Sequence, residues 1–119
     1  MDTSKGNLKI ALPTLDKGGL DDKISTVFGK AKTFTVIDIE ENQPKTVRVL
    51  ENPAVSYKQG AGPIVVKMLV DLGVTTVLAS EFGPGVSFLL DQNNVTKITV
   101  PAGSTVKESV DRALINLQK

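Results

Sequence analysis

The chain has neither cysteine nor histidine among its 119 residues. It therefore cannot form a disulfide, a thiolate metal cluster, a zinc finger, a Ser-His-Asp triad or an imidazole general base. Charge of one sign does not dominate either, because 14 Lys and Arg face 13 Asp and Glu and leave a formal net charge of +1. A chain with this balance lacks the excess of positive charge that is typical of proteins that bind duplex DNA or an anionic membrane. Carboxylates, hydroxyls, amines and the backbone remain for any chemistry.

Long apolar runs are also missing. The most apolar candidate, Ile64 to Leu78, contains Lys67 and Asp71 and falls short of the roughly 18 continuous apolar residues that a membrane span needs. Met1 to Asn7 does not resemble a signal peptide, since Asp2 stands where positive charge is expected. We expect a cytoplasmic protein without nucleic-acid or membrane partners. Its length favours one domain over residues 1–119, with 1–7 as a ragged N-terminus.

The hydrophobic pattern predicts five strands and three helices. Pro13 should close the first strand, Asp22 to Phe28 should form a helical turn stopped by Gly29, and the hairpin between strands two and three should turn over Glu41 to Pro44. The predicted strands are Leu8–Leu12, Thr33–Ile39, Val47–Leu50, Thr75–Ala79 and Thr96–Val100. The predicted helices are Ile64 to Leu72, Pro84 to about Asp91, and a last one with the apolar stripe Val106, Val110, Ala113, Leu114 and Leu117.

The order β-β-β-α-β-α-β-α indicates a hairpin followed by two crossover units. Right-handed crossovers make the last two strands parallel, which leaves the second strand as the reversed one. We therefore predict an α/β, ribonuclease-H-like three-layer domain. Its five-stranded mixed sheet should have the order 3-2-1-4-5.

Ligands of open α/β sheets bind outside the carboxyl ends of the parallel strands, so the loops at that edge are the candidate site. Three of these loops lead into helices, at Gly60-Ala61-Gly62, Phe82-Gly83-Pro84 and Gly103-Ser104-Thr105. Uncommitted N–H groups at three helix starts would suit an anion, although a single glycine before a helix is usually only an entry turn. The predicted ligand-binding residues are Asp16, Asn52, Tyr57, Gln59, Gly60, Ala61, Gly62, Glu81, Gly83 and Ser104.

Several enzyme classes are disfavoured by the same loops. The sequence has no Gly-Lys-Ser/Thr of a P-loop, and Gly60-Ala61-Gly62 lacks the third glycine of a dinucleotide fingerprint. A two-metal nuclease needs converging carboxylates, yet the first strand has Lys9 and no acid, and Asp38 and Glu40 suit a solvated hairpin. We predict neither a catalytic residue nor a protein metal ligand.

A set of short motifs resembles a known family along nearly the whole chain, from Leu8 to about Leu117. The sequence is similar to the dinitrogenase iron-molybdenum cofactor biosynthesis family of the NifX/NafY type. The motifs are Lys9-Ile10-Ala11-Leu12-Pro13-Thr14, Val27-Phe28-Gly29-Lys30-Ala31, Glu51-Asn52-Pro53, Gly60-Ala61-Gly62-Pro63 and Phe82-Gly83-Pro84.

The resemblance implies a prokaryotic, nitrogen fixation-related, non-enzymatic protein that binds or carries iron-molybdenum cofactor or an iron-sulfur precursor. Relatives often have His before Phe-Gly and before Gly-Ala-Gly, where Val27 and Gln59 stand here. Iron and molybdenum centres favour thiolate or imidazole ligands, so amides and helix starts would have to hold an anionic cluster here. The alternative is a divergent member without metal that acts as a regulatory or protein-interaction domain.

Overall fold

The computed structural model describes residues 8–117, and the expected ragged N-terminus lies outside them. Five strands and three helices follow one another in the predicted order β-β-β-α-β-α-β-α. The strands are β1 (Leu8–Thr14), β2 (Thr33–Glu40), β3 (Gln43–Glu51), β4 (Thr76–Ala79) and β5 (Thr96–Thr99). The helices are α1 (Ala61–Asp71), α2 (Pro84–Gln92) and α3 (Val106–Leu117).

The five strands form one sheet in the order β3-β2-β1-β4-β5, as the sequence predicts. β2 runs antiparallel to both of its neighbours, whereas β1, β4 and β5 are parallel. The carboxyl ends of β1, β4 and β5 therefore lie at one edge of the sheet. The loops that leave these ends, together with the loop that leads from β3 into α1, position the site described below.

Each face of the sheet has its own core because alternate residues of a strand point to opposite sides. On one face, Ala11 and Val77 pack with residues of α1 and α2 such as Val65 and Leu90. On the other face, Ile10 and Leu78 pack with Val106, Val110 and Leu114 of α3. The domain is a three-layer α/β structure with α1 and α2 on one side and α3 on the other.

The hairpin between β2 and β3 is tighter than the sequence suggests. Glu41 and Asn42 have φ angles of 53° and 67°, the left-handed conformation required at both central positions of a type I′ turn. β3 therefore begins at Gln43 and not at Val47, and the predicted turn over Glu41 to Pro44 is wrong. A bulge in the pairing at Asp38 and Ile39 accommodates Pro44 opposite Ile39.

Pro13 does not close β1. It stays in register with Phe34 of β2, and its carbonyl accepts a hydrogen bond of 2.8 Å from the Ser25 N–H. The parallel pairing with β4 covers Ile10 and Ala11 and does not extend to Pro13. The N–H that proline lacks is therefore not needed for the pairing of β1 with β4, which ends before Pro13, and β1 continues to Thr14.

The predicted helical turn from Asp22 to Phe28 is wrong as well. This segment is not helical: it is irregular, with bends and two isolated bridges, from Ile24 to Thr14 and from Lys23 to Thr105. The Ile24 N–H donates to the Ser104 carbonyl at 3.0 Å, and the Ile24 side chain is buried in the α3-side core. Tertiary hydrogen bonds to β1 and to the start of α3 replace the local bonds of a helix.

Candidate functional site

Three loops form an open groove at the carboxyl edge of the sheet, which we call the loop groove. Its volume is about 430 Å³, and residues 26–30, 58–62, Glu81, Gly83 and Val86 line it. The structure thereby brings six of the ten predicted binding residues together: Gln59, Gly60, Ala61, Gly62, Glu81 and Gly83.

Glycines allow the walls of the loop groove to approach one another. A Cβ at Gly29 would lie 3.2 Å from the Gly62 nitrogen, and a Cβ at Gly62 would lie 2.8 Å from Val86 Cγ2. The second distance is shorter than real Cβ atoms tolerate. The start of α1 is therefore packed closely against the backbone of the segment 26–30 and against the Val86 side chain of α2.

The starts of α1 and α2 are left open toward this groove. The residues that precede the helices, Gly60 and Gly83, provide no side-chain cap, and neither helix has an acidic residue in its first turn. Gly60 has a φ of 80°, which favours glycine, and Pro84 has no N–H to leave unpaired. Two uncapped helix starts give the groove a partial positive charge.

The N–H groups at the start of α3, in contrast, already form hydrogen bonds within the protein. The N–H groups of Val106 and Lys107 donate to the carbonyls of Asp22 and Leu20 at 2.9 and 3.0 Å. Thr105 and Glu108 form the predicted capping box, with N–H to side-chain distances of 2.9 and 3.1 Å. The expectation of a third uncommitted helix start at Gly103-Ser104-Thr105 is therefore wrong.

Two carboxylates have lowered pKa values, that of Glu108 in the cap of α3 and that of Asp22 in the loop that covers the start of α3. Hydrogen bonds from the N–H and hydroxyl of Thr105 lower the pKa of Glu108. Partial burial alone would raise the pKa of Asp22, but N–H groups, led by those of Asp16 and Gly18, outweigh it and hold the pKa below its ordinary value. Both acids thus favour the charged form that the hydrogen bonds require.

The formal charges of the loop groove come from Lys30, Lys58 and Glu81. All three side chains are exposed, and within residues 8–117 neither lysine forms an ion pair at 4 Å or less. Reasoning from the sequence left Lys30 and Lys58 out of the site. Their position beside Phe28-Gly29 and Gln59-Gly60 is the signal that would have found them.

The remaining four predicted residues lie outside the lining of the loop groove. Asp16 forms an exposed ion pair of 3.1 Å with Lys32, and Tyr57 is half exposed on the loop that precedes α1. Ser104 uses its backbone within the turn and in a bond from Ile24.

Asn52 is the fourth, and it acts from beneath the loop groove. It is buried, and its amide donates to the carbonyls of Gly29 and Ala31 at 2.8 and 2.9 Å. Its side-chain oxygen accepts the Ala54 N–H at 2.8 Å. Asn52 therefore ties the segment at 29–31 to the loop that follows β3.

The described part of the chain offers no ready inner-sphere metal site. Residues 8–117 contain no group of three or more His, Cys, Asp or Glu side chains placed to hold a metal ion. The one soft sulfur in that range, in Met68, is partly buried against the α1 and α2 core. Likewise, no helix within these residues is long and apolar enough to cross a membrane.

Solved structures share this fold over most of their length. The apo form of the orange protein from Desulfovibrio gigas is 27% identical, with a TM-score of 0.80 over 91% of this chain and 88% of its own. A putative NifB protein from Thermotoga is 29% identical, with a TM-score of 0.72 over 89% and 86%. A putative dinitrogenase from Methanocaldococcus jannaschii, at 17% identity and a TM-score of 0.69 over 92% and 90%, shows the fold alone.

Sequence comparisons agree with the structural ones. An uncharacterized protein of Methanocaldococcus jannaschii is 29% identical over 77 residues, which span 65% of this chain and 61% of that protein. The match thus covers less than two thirds of the relative. The model of the family described as "dinitrogenase iron-molybdenum cofactor" matches residues 8–115. The chain therefore belongs to the dinitrogenase iron-molybdenum cofactor family.

Proposed function

We propose that the protein is a non-enzymatic carrier that binds an anionic metallocluster, iron-molybdenum cofactor or an iron-sulfur precursor, in the loop groove. The observation on which this proposal rests is the pairing of two uncapped helix starts with Lys30 and Lys58 in one open groove. Backbone N–H groups at helix starts and ammonium groups are the protein's usual partners for anions. The family's association with iron-molybdenum cofactor supports the choice of cargo.

The donor set restricts how such a cargo is held. The sequence has no Cys or His, so thiolate and imidazole ligation are not available. Within residues 8–117, the one thioether, that of Met68, packs against the core. The cluster would be held through its outer atoms, by hydrogen bonds from loop N–H groups and by the charges of Lys30 and Lys58. Such outer-sphere contacts suit a cluster that must later be passed on, because no metal–protein bond has to break.

Glu81 lowers the affinity of the loop groove for anions in general. Its carboxylate lines the same groove as the two lysines, so the formal charge of the lining is +1. A small, hydrated anion gains little from this arrangement. A larger anion that spreads its charge would contact both helix starts at once, which favours a cluster over a simple ion.

The test is an anaerobic titration of the purified protein with iron-molybdenum cofactor or a synthetic iron-sulfur cluster. Gel filtration and metal analysis then measure the metal that elutes with the protein. We expect near-stoichiometric retention, reduced at least tenfold in the double variant Lys30→Gln and Lys58→Gln, since each lost charge-assisted bond is worth about 1.5–3 kcal/mol before solvent screening.

The matched control is Lys67→Gln, which removes an equally exposed lysine from α1, away from the groove. This variant should retain the cluster like the unaltered protein. Metal that elutes entirely apart from the protein would refute the carrier proposal, and so would equal losses in the control and the double variant.

A second candidate function is a protein-interaction domain, and the exposed apolar residues favour it. Val27 in the groove is 53% exposed, and Val55 and Tyr57 on the adjoining loop are each 46% exposed. Exposed aromatic and aliphatic side chains of this kind are common anchors of interfaces. The double variant Val27→Ser and Tyr57→Ser should then abolish a stoichiometric complex with a purified partner, while cluster retention stays at background in every variant.

A further inference from the structure

β3 is an edge strand of the sheet, since β2 pairs with it on one side and no other strand of residues 8–117 pairs with it on the other. An edge strand presents unpaired N–H and C=O groups, and proteins protect such edges with proline, bulges or charge. In β3 the first two devices lie near the beginning, where Pro44 has no N–H and Lys45 is the extra residue of the bulge. The stretch 47–51, which we call the β3 edge, contains neither device.

The pairing with β2 determines which backbone groups of the β3 edge face outward. Directly after β3, the Asn52 N–H donates to the Lys32 carbonyl at 3.2 Å, so Asn52 faces the β2 side. In an antiparallel pair, successive residues alternate between bonding the neighbouring strand and facing away from it. The N–H and C=O groups of Val47, Val49 and Glu51 therefore face outward, away from β2.

Two valines of the β3 edge are exposed on one face of the sheet. Val47 and Val49 are 40% and 43% exposed, although the Gly18 turn lies beside Val49. Their side chains point to the same face because they are two residues apart. A strand added on the outer side would cover both valines and pair the outward backbone groups at the same time.

The side chains of the β3 edge restrict how a second copy could pair with it. In an antiparallel pair about a two-fold axis, the position of the axis decides which side chains lie opposite each other. An axis at Arg48 or at Glu51 would place two like charges opposite each other. An axis at Val47 would bring the bulge into the pairing. An axis at Leu50 would place Val47 opposite Pro53, which has no N–H.

An axis at Val49 avoids all of these conflicts. It gives the pairs Val49 with Val49, Arg48 with Leu50, and Val47 with Glu51. Each outward residue then faces an outward residue, so the pairing forms about six backbone hydrogen bonds between the copies. We propose that two copies of this chain dimerise by antiparallel pairing of the β3 edge, about a two-fold axis at Val49.

Such a dimer is compatible with the fold and independent of the carrier proposal. It would join two five-stranded sheets into one sheet of about ten strands, which is near the usual upper limit for open sheets. The β3 edge lies outside the lining of the loop groove. A short strand pair with few covered side chains belongs to the small, transient class of interfaces, so we expect a weak dimer.

The absence of cysteine makes cross-linking a direct test of the axis. Val49→Cys places two thiols at a hydrogen-bonded pair whose Cα atoms lie about 5.5 Å apart, a distance that a disulfide spans. Val47→Cys is the matched control, because this similarly exposed residue would lie about 13 Å along the strand from its own copy. Under mild oxidation, we expect Val49→Cys to form disulfide dimers at least tenfold faster on non-reducing gels. Equal rates would indicate random collisions and overturn the proposal.

Sedimentation equilibrium of the full chain measures the dimer itself, at protein concentrations from about 10 µM to about 1 mM. Val49→Lys places two ammonium groups opposite each other and removes a valine pair, so it should weaken the dimer about fivefold. Val47→Lys places an ammonium group opposite Glu51 and should leave the dimer equal or stronger. Equal weakening in both variants, or a monomer at every concentration, would overturn the proposal.

Hydrogen exchange tests the alternation of the backbone bonds. Protection of the N–H groups of Val47, Val49 and Glu51 should rise with protein concentration, because the second copy bonds them. The N–H groups of Arg48 and Leu50 face β2 and should be protected at every concentration. Protection of the first three that does not depend on concentration would contradict self-pairing. Addition of a different protein to β3 while this chain stays monomeric would overturn it as well.

Discussion

The starts of α1 and α2 differ from the start of α3, although all three helices begin at the same edge of the sheet. At α3, carbonyls of the loop after β1 and the capping box satisfy the first N–H groups. At α1 and α2, glycines precede the helices without any side-chain cap. The comparison shows that a helix start is a binding feature only where the fold has not already used it.

The difference has a local cause in the segment from Asp16 to Ile24. This loop folds back over β1, and the Asp22 carboxylate holds it by accepting N–H bonds of 2.8 Å from Asp16, Gly18 and Lys23. Its carbonyls then face the start of α3. Within residues 8–117, no carbonyl of another loop accepts a hydrogen bond from the first N–H groups of α1 or α2, and the loop groove lies between these two helix starts.

The largest expected effect on the free energy of unfolding comes from displacing the loop that covers the start of α3. Gly18→Ala places a methyl group 2.6 Å from Val49 Cγ1 at a φ of 80°, and we expect a loss of about 2–4 kcal/mol in unfolding free energy. Urea unfolding measures it. Gly19→Ala is the matched control, because its φ of 93° imposes similar backbone strain but nothing lies within 4 Å of the new methyl group. Equal losses in both variants would contradict the packing argument.

The next effect comes from opening the start of α3 at its cap. Thr105→Ala removes the hydroxyl that accepts the Glu108 N–H, and we expect a loss of about 1 kcal/mol in unfolding free energy. Thr105→Ser keeps a hydroxyl and should stay within a few tenths of a kcal/mol of the unaltered protein. A loss in the serine variant as large as in alanine would show that the methyl group, and not the cap, stabilises α3.

A smaller effect is the pH dependence of the stability that Asp22 contributes through the loop that covers the start of α3. The pKa of Asp22 is below its ordinary value of 3.8 in the folded protein, so its stabilising contribution is present above pH 3.8 and is lost as pH falls through the folded pKa. Asp22→Asn should lower the free energy of unfolding at pH 7 by less than about 1 kcal/mol after solvent screening, as urea unfolding measures it, and the difference should vanish in strong acid. Asp21→Asn, at the exposed neighbour, is the control. A difference that persists unchanged into strong acid would exclude the charge of Asp22 as its source.

The smallest effect on stability, and the sharpest for function, comes from capping α2. Gly83 has an extended φ and ψ of −63° and 158° and open space around it, so Gly83→Asp should cap the helix and stabilise the fold by a few tenths of a kcal/mol. The added carboxylate should also reduce cluster retention severalfold. Gly83→Ala adds a side chain without a cap or charge and should retain the cluster. Equal retention by the aspartate variant and the unaltered protein would remove the α2 start from the proposed site.

The sheet order was predictable because strands and helices have different hydrophobic periods and crossovers have one hand. The stripe of α3 from Val106 to Leu114 is an example, since its spacing alone places it against the sheet. The segment from Asp22 to Phe28 was not predictable, because its backbone bonds go to residues distant in sequence. The closure of the α3 start follows from that same segment, which is why three helix starts were expected at the site where two are open.

Part of the loop groove was predictable from glycine positions next to helices. The close approach of Gly29 to Gly62 was not, since it depends on how two loops pack. Asp16 and Ser104 occur in loops at the correct edge, yet their bonds turn them toward other partners. Chain order places a loop at an edge of the sheet, but only packing decides which of its atoms line a groove.

The buried amide of Asn52 has a mechanical consequence. By bonding the carbonyls of Gly29 and Ala31 and the N–H of Ala54, it couples the segment at 29–31 to the chain that continues toward Gly60. The segment that carries Lys30 and the beginning of the loop that carries Lys58 are therefore hydrogen-bonded to one side chain, which restricts the movement of one relative to the other. A ligand of the loop groove would therefore meet a binding surface whose width is largely set before binding. Ligands of different diameter would differ in how well they fit, and binding would cost little conformational entropy.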